Sequence, residues 1–351
     1  MKRMTFLTIA GWILFAAAVM VPQVAKAVTY NATVGAETKD QAVQADAFFP
    51  NELWVLEGDS IQWTFVPKNE IHTVTLLAQT PGAPEQTRPS APPPAGPPFF
   101  VQGVNCTVAA ASSYDGSICT STQTGLTAPS TFTVTFSKAG NYRLVCLVHT
   151  DMNGTVHVLA NNTPNAALLH TQQFYDDEAR FEANAILSAS DQPQFGQQPA
   201  GPPAPSSGQN TVIAGIGKIV ATGGGTQYGA VVRFLDGKIR IHKGESVTWT
   251  NLDPTEPHTV TFGTEPAGFI PPIPAGLGAT AADGTLTATF NSAVFLNSGF
   301  IQAQAPDRTG TTQLPPGTTR ITITFNTPGT YSYHCALHDV DGMIGEVVVL
   351  P

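Results

Sequence analysis

Strict alternation of apolar and polar residues is the dominant pattern in this chain, and a period of two marks half-buried β-strands. Residues 60–66 (SIQWTFV) set Trp63 and Phe65 between polar neighbours, residues 131–136 read TFTVTF, and residues 319–325 read TRITITF. Further strands are predicted over 53–56, 71–77, 141–147 and 154–160, with turns at Glu57-Gly58-Asp59 and Ala139-Gly140. Residues 28–52 show only polar turns and weak strand signals.

Three stretches break the pattern. Lys2 and Arg3 precede an apolar run over residues 6–21, Pro22 ends it, and Ala25-Lys26-Ala27 supplies small residues at −3 and −1. That order predicts a signal peptide over 1–27, cleaved after Ala27 and leaving no membrane span, so the mature protein is expected to be periplasmic or secreted. Thr163-Pro164 opens a segment with helix-like spacing, predicted as one helix over roughly 164–189. Its expected docking face carries Leu168, Leu169, Phe174, Phe181, Ile186 and Leu187, with Glu178, Arg180 and Glu182 on a solvated face. Residues 81–98 are a Pro-rich loop, and residues 192–210 (QPQFGQQPAGPPAPSSGQN) a linker without packing capacity.

The strand signals occur twice. Gly58, Trp63 and His72 pair with Gly244, Trp249 and His258 at a constant offset of 186; Cys146 and His149 pair with Cys335 and His338 at 189, and Met152 with Met343 at 191. A near-constant offset through six landmarks is a duplication. The predicted domains are 28–162 and 211–351, joined by the helix and linker of 163–210. About seven or eight short strands per unit, without βαβ alternation, make each an antiparallel β-sandwich.

Composition agrees with an all-β chain. Of 351 residues only 12% are charged, while Gly (32) and Pro (29) are abundant, which excludes a helical bundle or a disordered chain. Loss of Lys2, Arg3 and Lys26 with the leader leaves 13 basic against 25 acidic residues, a net charge of −12. That balance disfavours nucleic acid and anionic lipid.

The candidate chemistry lies on two loops, VCLVHTDMNG and YSYHCALHDVDGMIG, each with a Cys, a His three residues on and a Met beyond. Thiolate, imidazole and thioether together form a ligand set that copper prefers. His72 and His258, each in an HTVT segment, precede Cys146 and Cys335 by 74 and 77 residues. Zinc could use the Cys and His residues but would leave Met152 and Met343 without a role. Those are the only methionines outside the predicted leader. Cys106 and Cys119 lack neighbouring His residues and are expected to pair as a local disulfide. A Cys146–Cys335 bridge would leave the two matching His/Met sets unexplained. His157, His170 and His242 are isolated in sequence. His334, beside Cys335, is turned to the opposite face by strand alternation.

These residues resemble the cupredoxins, the plastocyanin, azurin and amicyanin group of blue-copper proteins. The Cys335, His338, Met343 loop is similar to that of plastocyanin and pseudoazurin, and the Cys146, His149, Met152 loop to the shorter amicyanin loop. The resemblance covers roughly residues 45–80 with 130–160, and 237–263 with 318–350. It implies tandem Greek-key sandwiches with two type 1 copper ions, held by His72, Cys146, His149 and Met152 and by His258, Cys335, His338 and Met343. It implies outer-sphere electron transfer with a redox protein as donor or acceptor, through surface-reaching ring edges of His149 and His338. An electron carrier is expected rather than an enzyme. The alternatives are a copper-dependent oxidoreductase of the nitrite reductase or multicopper oxidase type, which needs further His residues where this chain has no His-x-His pair, and a copper-buffering protein.

Overall fold

The computed structural model describes residues 27–66, 70–79, 107–108, 111–122, 130–149, 151–162, 171–188, 210–269, 271, 273–303 and 318–351. Residues 1–26 of the leader, Cys106, His170, Leu168, Leu169, the Pro-rich loop and nearly all of the linker therefore lie outside the described residues.

Each half is a two-layer β-sandwich. In the first, Thr29–Glu37, Val43–Phe49, Ser60–Phe65, Thr131–Phe136 and Ala111–Tyr114 face a sheet containing Glu52–Leu56, Asn153–Leu159, Gly140–Val145 and Thr75–Leu76. In the second, Thr211–Ala221, Thr226–Leu235, Ser246–Leu252, Arg320–Thr324 and Thr285–Thr289 face Lys238–His242, Ile344–Leu350, Gly329–His334, Thr261–Phe262 and Leu296–Asn297. Most pairings are antiparallel, with parallel ones where a sandwich's early strand meets a later one, as between Glu52–Leu56 and Asn153–Leu159. Alternation does what the pattern predicts: Ile61 and Trp63 are fully buried from one side of their strand, and Val247 and Trp249 do the same in the repeat.

The two sandwiches share a sheet. Val43–Phe49 pairs antiparallel with Thr226–Leu235, Asp46 opposite Tyr228 and Val43 opposite Val231, so ten strands run continuously from one half to the other. This explains why residues 28–52 looked weak in sequence. VQADAFF is buried along all seven positions, because one side of the strand is covered by the helix and its edge by the other domain. A doubly covered strand need not alternate.

The helix runs over Gln172–Leu187, with the Thr171 hydroxyl accepting from the Phe174 amide at 3.2 Å. The proposed start at Thr163-Pro164 lies outside the described residues. The docking face keeps Ile186 and Leu187 of the expected set but not its aromatic residues. Phe174 and Phe181 are 42% and 76% exposed, whereas Tyr175 and Ile186 are buried. Ala179, Ala183 and Leu187 complete the contact against Ala45, Ala47 and Phe49. Small residues on both elements let the backbones approach, and the large aromatic residues fall outside the groove. Tyr175 clamps the helix to the sandwich, its hydroxyl donating to the Trp54 carbonyl at 2.7 Å and accepting from the Trp54 amide at 3.0 Å. Glu182 is not on a solvated face either: it is half-buried and accepts from the Asn51 amide at 3.3 Å.

Candidate metal centres

Cys146 and Cys335 each follow directly on a core strand, Gly140–Val145 and Gly329–His334. The loops close on themselves. The Cys146 amide donates to the Met152 carbonyl and the Cys335 amide to the Met343 carbonyl, both at 3.0 Å. The second loop absorbs its two extra residues in a turn, where the Gly342 amide donates to the Asp339 carbonyl and Gly342 adopts φ +90°. Left-handed backbone at that position favours glycine.

The upstream histidines come from segments expected to be full strands. Only Thr75–Leu76 and Thr261–Phe262 are strand. Before them the amides serve the site instead of a ladder. Thr73 N–H points at Cys146 Sγ (3.4 Å) and Thr259 N–H at Cys335 Sγ (3.3 Å), while the Thr73 and Thr259 hydroxyls each accept a loop amide, from Leu147 and Ala336, at 2.7 Å.

The structure brings His72, Cys146 and His149 together, and likewise His258, Cys335 and His338, with one ligand atom of each residue within 4.8 Å of the others. All six are at most 2% exposed. The Nδ1 atoms of His72 and His149 are 3.1 Å apart and those of His258 and His338 3.2 Å, with the sulfurs 3.7 Å from His149 Nδ1 and 3.5 Å from His338 Nδ1. Met152 and Met343 are fully buried in the same apolar clusters as their cysteines.

Electrostatics favour a thiolate. Burial alone would raise the Cys146 thiol, but hydrogen bonds from His149 and His72 and their charge outweigh it and hold the group well below the usual thiol range. For Cys335 burial is again opposed, chiefly by the charge of His338 and by hydrogen bonds from His258 and His338, with the same outcome. Burial would lower His149 and His338; the acidic neighbours and thiolates raise both.

The donor set fits copper. Two Nδ1 atoms this close cannot both hold a proton without repulsion, whereas a soft cation uses both lone pairs and the thiolate at once. The surroundings also suit a fixed ligand: a Cβ on Gly215 would lie 2.0 Å from His258 Nε2, so a bare backbone cradles that ring.

Two acidic residues were not anticipated from sequence. Glu70 Oε1 is 3.1 Å and Oε2 4.0 Å from the Nε2 atoms of His149 and His338 respectively. Glu256 Oε2 is 3.7 Å from His149 Nε2, and its Oε1 3.6 Å from His338 Nε2. The loop histidines of the two halves therefore meet at the domain junction, and their ring edges do not reach the surface. Burial pushes Glu256 up, helped by the charge of Glu70; for Glu70 burial is outweighed by His149, and its carboxyl is pushed down. The signal existed in the sequence. Glu70 and Glu256 stand at the same offset of 186 as His72 and His258, two residues before each.

Of the other histidines, His334 faces away from the centre, its Nε2 3.0 Å from Glu265 Oε1, as alternation requires. His157 is not merely solvated: it stacks on Trp54 at 4.0 Å and meets Glu52 and Asn141. His242 is exposed beside the Pro351 carbonyl. Cys119 is buried against Leu77, Val145 and Leu147; its expected partner Cys106 lies outside the described residues.

Residues 223–350 match the family of copper binding proteins described as plastocyanin/azurin. Among solved structures, oxidised plastocyanin from Dryopteris crassirhizoma is 20% identical, over 40% of this chain and 99% of that one, with a TM-score of 0.21. A mutant amicyanin in the Cu(I) state is 19% identical, over 41% of this chain and 85% of that one, with a TM-score of 0.23. A second amicyanin mutant, in the oxidised state, is 21% identical over 41% and 83%, with a TM-score of 0.22. No curated protein matches the chain.

Proposed function

Because residues 223–350 match the plastocyanin/azurin family of copper-binding proteins, we propose that the chain is an exported electron-transfer protein with two type 1 copper centres. The observation that carries the reading is the pair of buried Cys/His/His sets, each with a methionine closing its loop. His72, Cys146, His149 and Met152 would hold one ion, and His258, Cys335, His338 and Met343 the other.

Bound copper supplies a reversible one-electron couple. The chain does the rest. The thiolates donate density, Thr73 and Thr259 amides hold the sulfurs in place, and the buried loops exclude water and restrain the imidazoles, so that little rearranges when the charge changes. Export through residues 1–27, a periplasmic or secreted location, a Cys106–Cys119 disulfide and a protein redox partner complete the reading; the leader-like order of Lys2, Arg3, the apolar run and Ala25-Lys26-Ala27 supports the first two.

A copper count with electron paramagnetic resonance on the purified protein tests this. We expect about two coppers per chain, both type 1. Cys146→Ser and Cys335→Ser should each remove one centre and about half of the thiolate-to-copper absorption. Loss of all absorption in both single variants would contradict two independent ligand sets. More than two coppers with a second spectral class would favour an oxidoreductase instead.

A further inference from the structure

The junction between the sandwiches is an unusual place for four polar side chains. The side chains of Glu70 and Glu256 are 11% and 13% exposed, and His149 and His338 are almost wholly buried. Burying two carboxylates and two imidazoles costs more than burying apolar residues of the same size, and such a cluster is weak evidence of a purely stabilising role. The geometry is also reciprocal. Each carboxylate turns one oxygen toward His149 and the other toward His338, at 3.1 and 4.0 Å for Glu70 and at 3.7 and 3.6 Å for Glu256. The far nitrogen of each ring, Nδ1, belongs to a different Cys/His/His set. A path of close contacts therefore runs from Cys146 through His149, either glutamate and His338 to Cys335.

We propose that Glu70 and Glu256 are positioning residues that join the two centres into one unit, between whose halves an electron passes inside the chain. This rests on the two-copper reading above. In the step, Cu(I) at one centre is oxidised to Cu(II) while Cu(II) at the other is reduced to Cu(I); no proton, atom or bond is exchanged. A carboxylate that accepts a ligand imidazole's N–H fixes the ring and raises its basicity. Here Glu70 accepts from His149 within hydrogen-bond distance, while the contacts of Glu70 to His338 and of Glu256 to both rings, at 3.6–4.0 Å, are electrostatic, and together they hold the two rings toward one another. The two loop imidazoles serve each other, and their buried edges are closed to an external partner.

The test uses the full chain loaded with copper, reduced by less than one electron per molecule with a pulsed radical. The wild type should show a fast phase of reduction followed by redistribution between the two absorption bands, at a rate independent of protein concentration. Glu70→Ala/Glu256→Ala should slow that phase about tenfold or more, the size of effect typical for an outer-shell partner. Glu70→Gln/Glu256→Gln, which keeps length and one acceptor oxygen on each side chain, should restore much of the rate. Copper content and both thiolate-to-copper bands are measured on every variant. Fewer than two coppers per wild-type chain would defeat the two-centre reading itself. Two coppers without a concentration-independent phase would overturn the present inference alone, as would a double alanine variant that keeps both bands and an unchanged rate. Should the double alanine variant fail to fold, the wild-type phase and the two single alanine variants decide, each expected to slow redistribution.

Discussion

A methyl group at position 215 would collide with His258 Nε2, and the backbone there, at φ +81°, already disfavours any side chain. Gly215 sits in a bulge of Thr211–Ala221 where the register slips between Ala214 and Ile216, and the bulge is what brings bare backbone against the ring. Gly215→Ala should therefore displace His258, remove the second centre's share of the absorption, leave the first centre's band, and cost about 1–3 kcal/mol in a thermal melt. Retention of both bands would show that the ring does not need this cradle. That His72, Cys146 and His149, and likewise His258, Cys335 and His338, come together was legible in the sequence because their chemistry is rare and their spacing repeats. Glu70 and Glu256 were not, although the repeat carries them, since a glutamate beside a strand ordinarily faces water. What buries them is the opposite sandwich, and only the fold brings that surface within reach.

At the scale of the helix, packing overruled size. Periodicity picks out Ile186 and Leu187, which do dock, but also Phe174 and Phe181, and it passes over Tyr175, Ala179 and Ala183, of which the alanines rank low on a scale of hydrophobic bulk. Ile186→Ala should cost about 2–4 kcal/mol by denaturant titration, and Phe181→Ala, at 76% exposure, no more than about 0.5 kcal/mol. Equal effects would mean that the helix docks by another face. Glu182 adds a pH dependence. Burial, with help from the charge of Glu178, pushes its carboxyl up to about 7 from an ordinary 4.5. A raised carboxyl favours folding while protonated, so this contribution is full below pH 4.5 and is lost as pH rises through 7. Discounted for partial exposure, the wild type should lose on the order of 1–2 kcal/mol across that interval relative to Glu182→Gln, read as the difference between their stability–pH curves. Parallel curves would place the group in free contact with water.

At the scale of the whole molecule, the sequence predicts two domains joined by a helix and a linker, and the structure adds a sheet that the two share. The sequence could not show this, because pairing between Val43–Phe49 and Thr226–Leu235 is a contact between units, invisible to local periodicity. The junction is tied at several depths: Val232 N–H donates to the Ala42 carbonyl at 3.0 Å, the Arg233 guanidinium reaches the Gln41 and Asp40 carbonyls, and the Gln227 amide donates to the Phe48 carbonyl at 3.2 Å. Beneath them lies the Glu70, Glu256, His149, His338 cluster, which loses its cross-half contacts, Glu256 to His149 at 3.7 Å and Glu70 to His338 at 4.0 Å, and gains water if the halves part. Opening the junction also frees the edge of a strand buried along its whole length, an outcome that edge strands normally avoid. Separation is thus costly before either half unfolds, and calorimetry should record one transition with matching calorimetric and van't Hoff enthalpies. Residues 28–188 expressed alone expose that edge and should self-associate by sedimentation, where the full chain does not through this surface. Two resolved transitions, together with a monomeric fragment, would mean that the sandwiches are independent and that the ten-stranded sheet contributes little to holding the centres face to face.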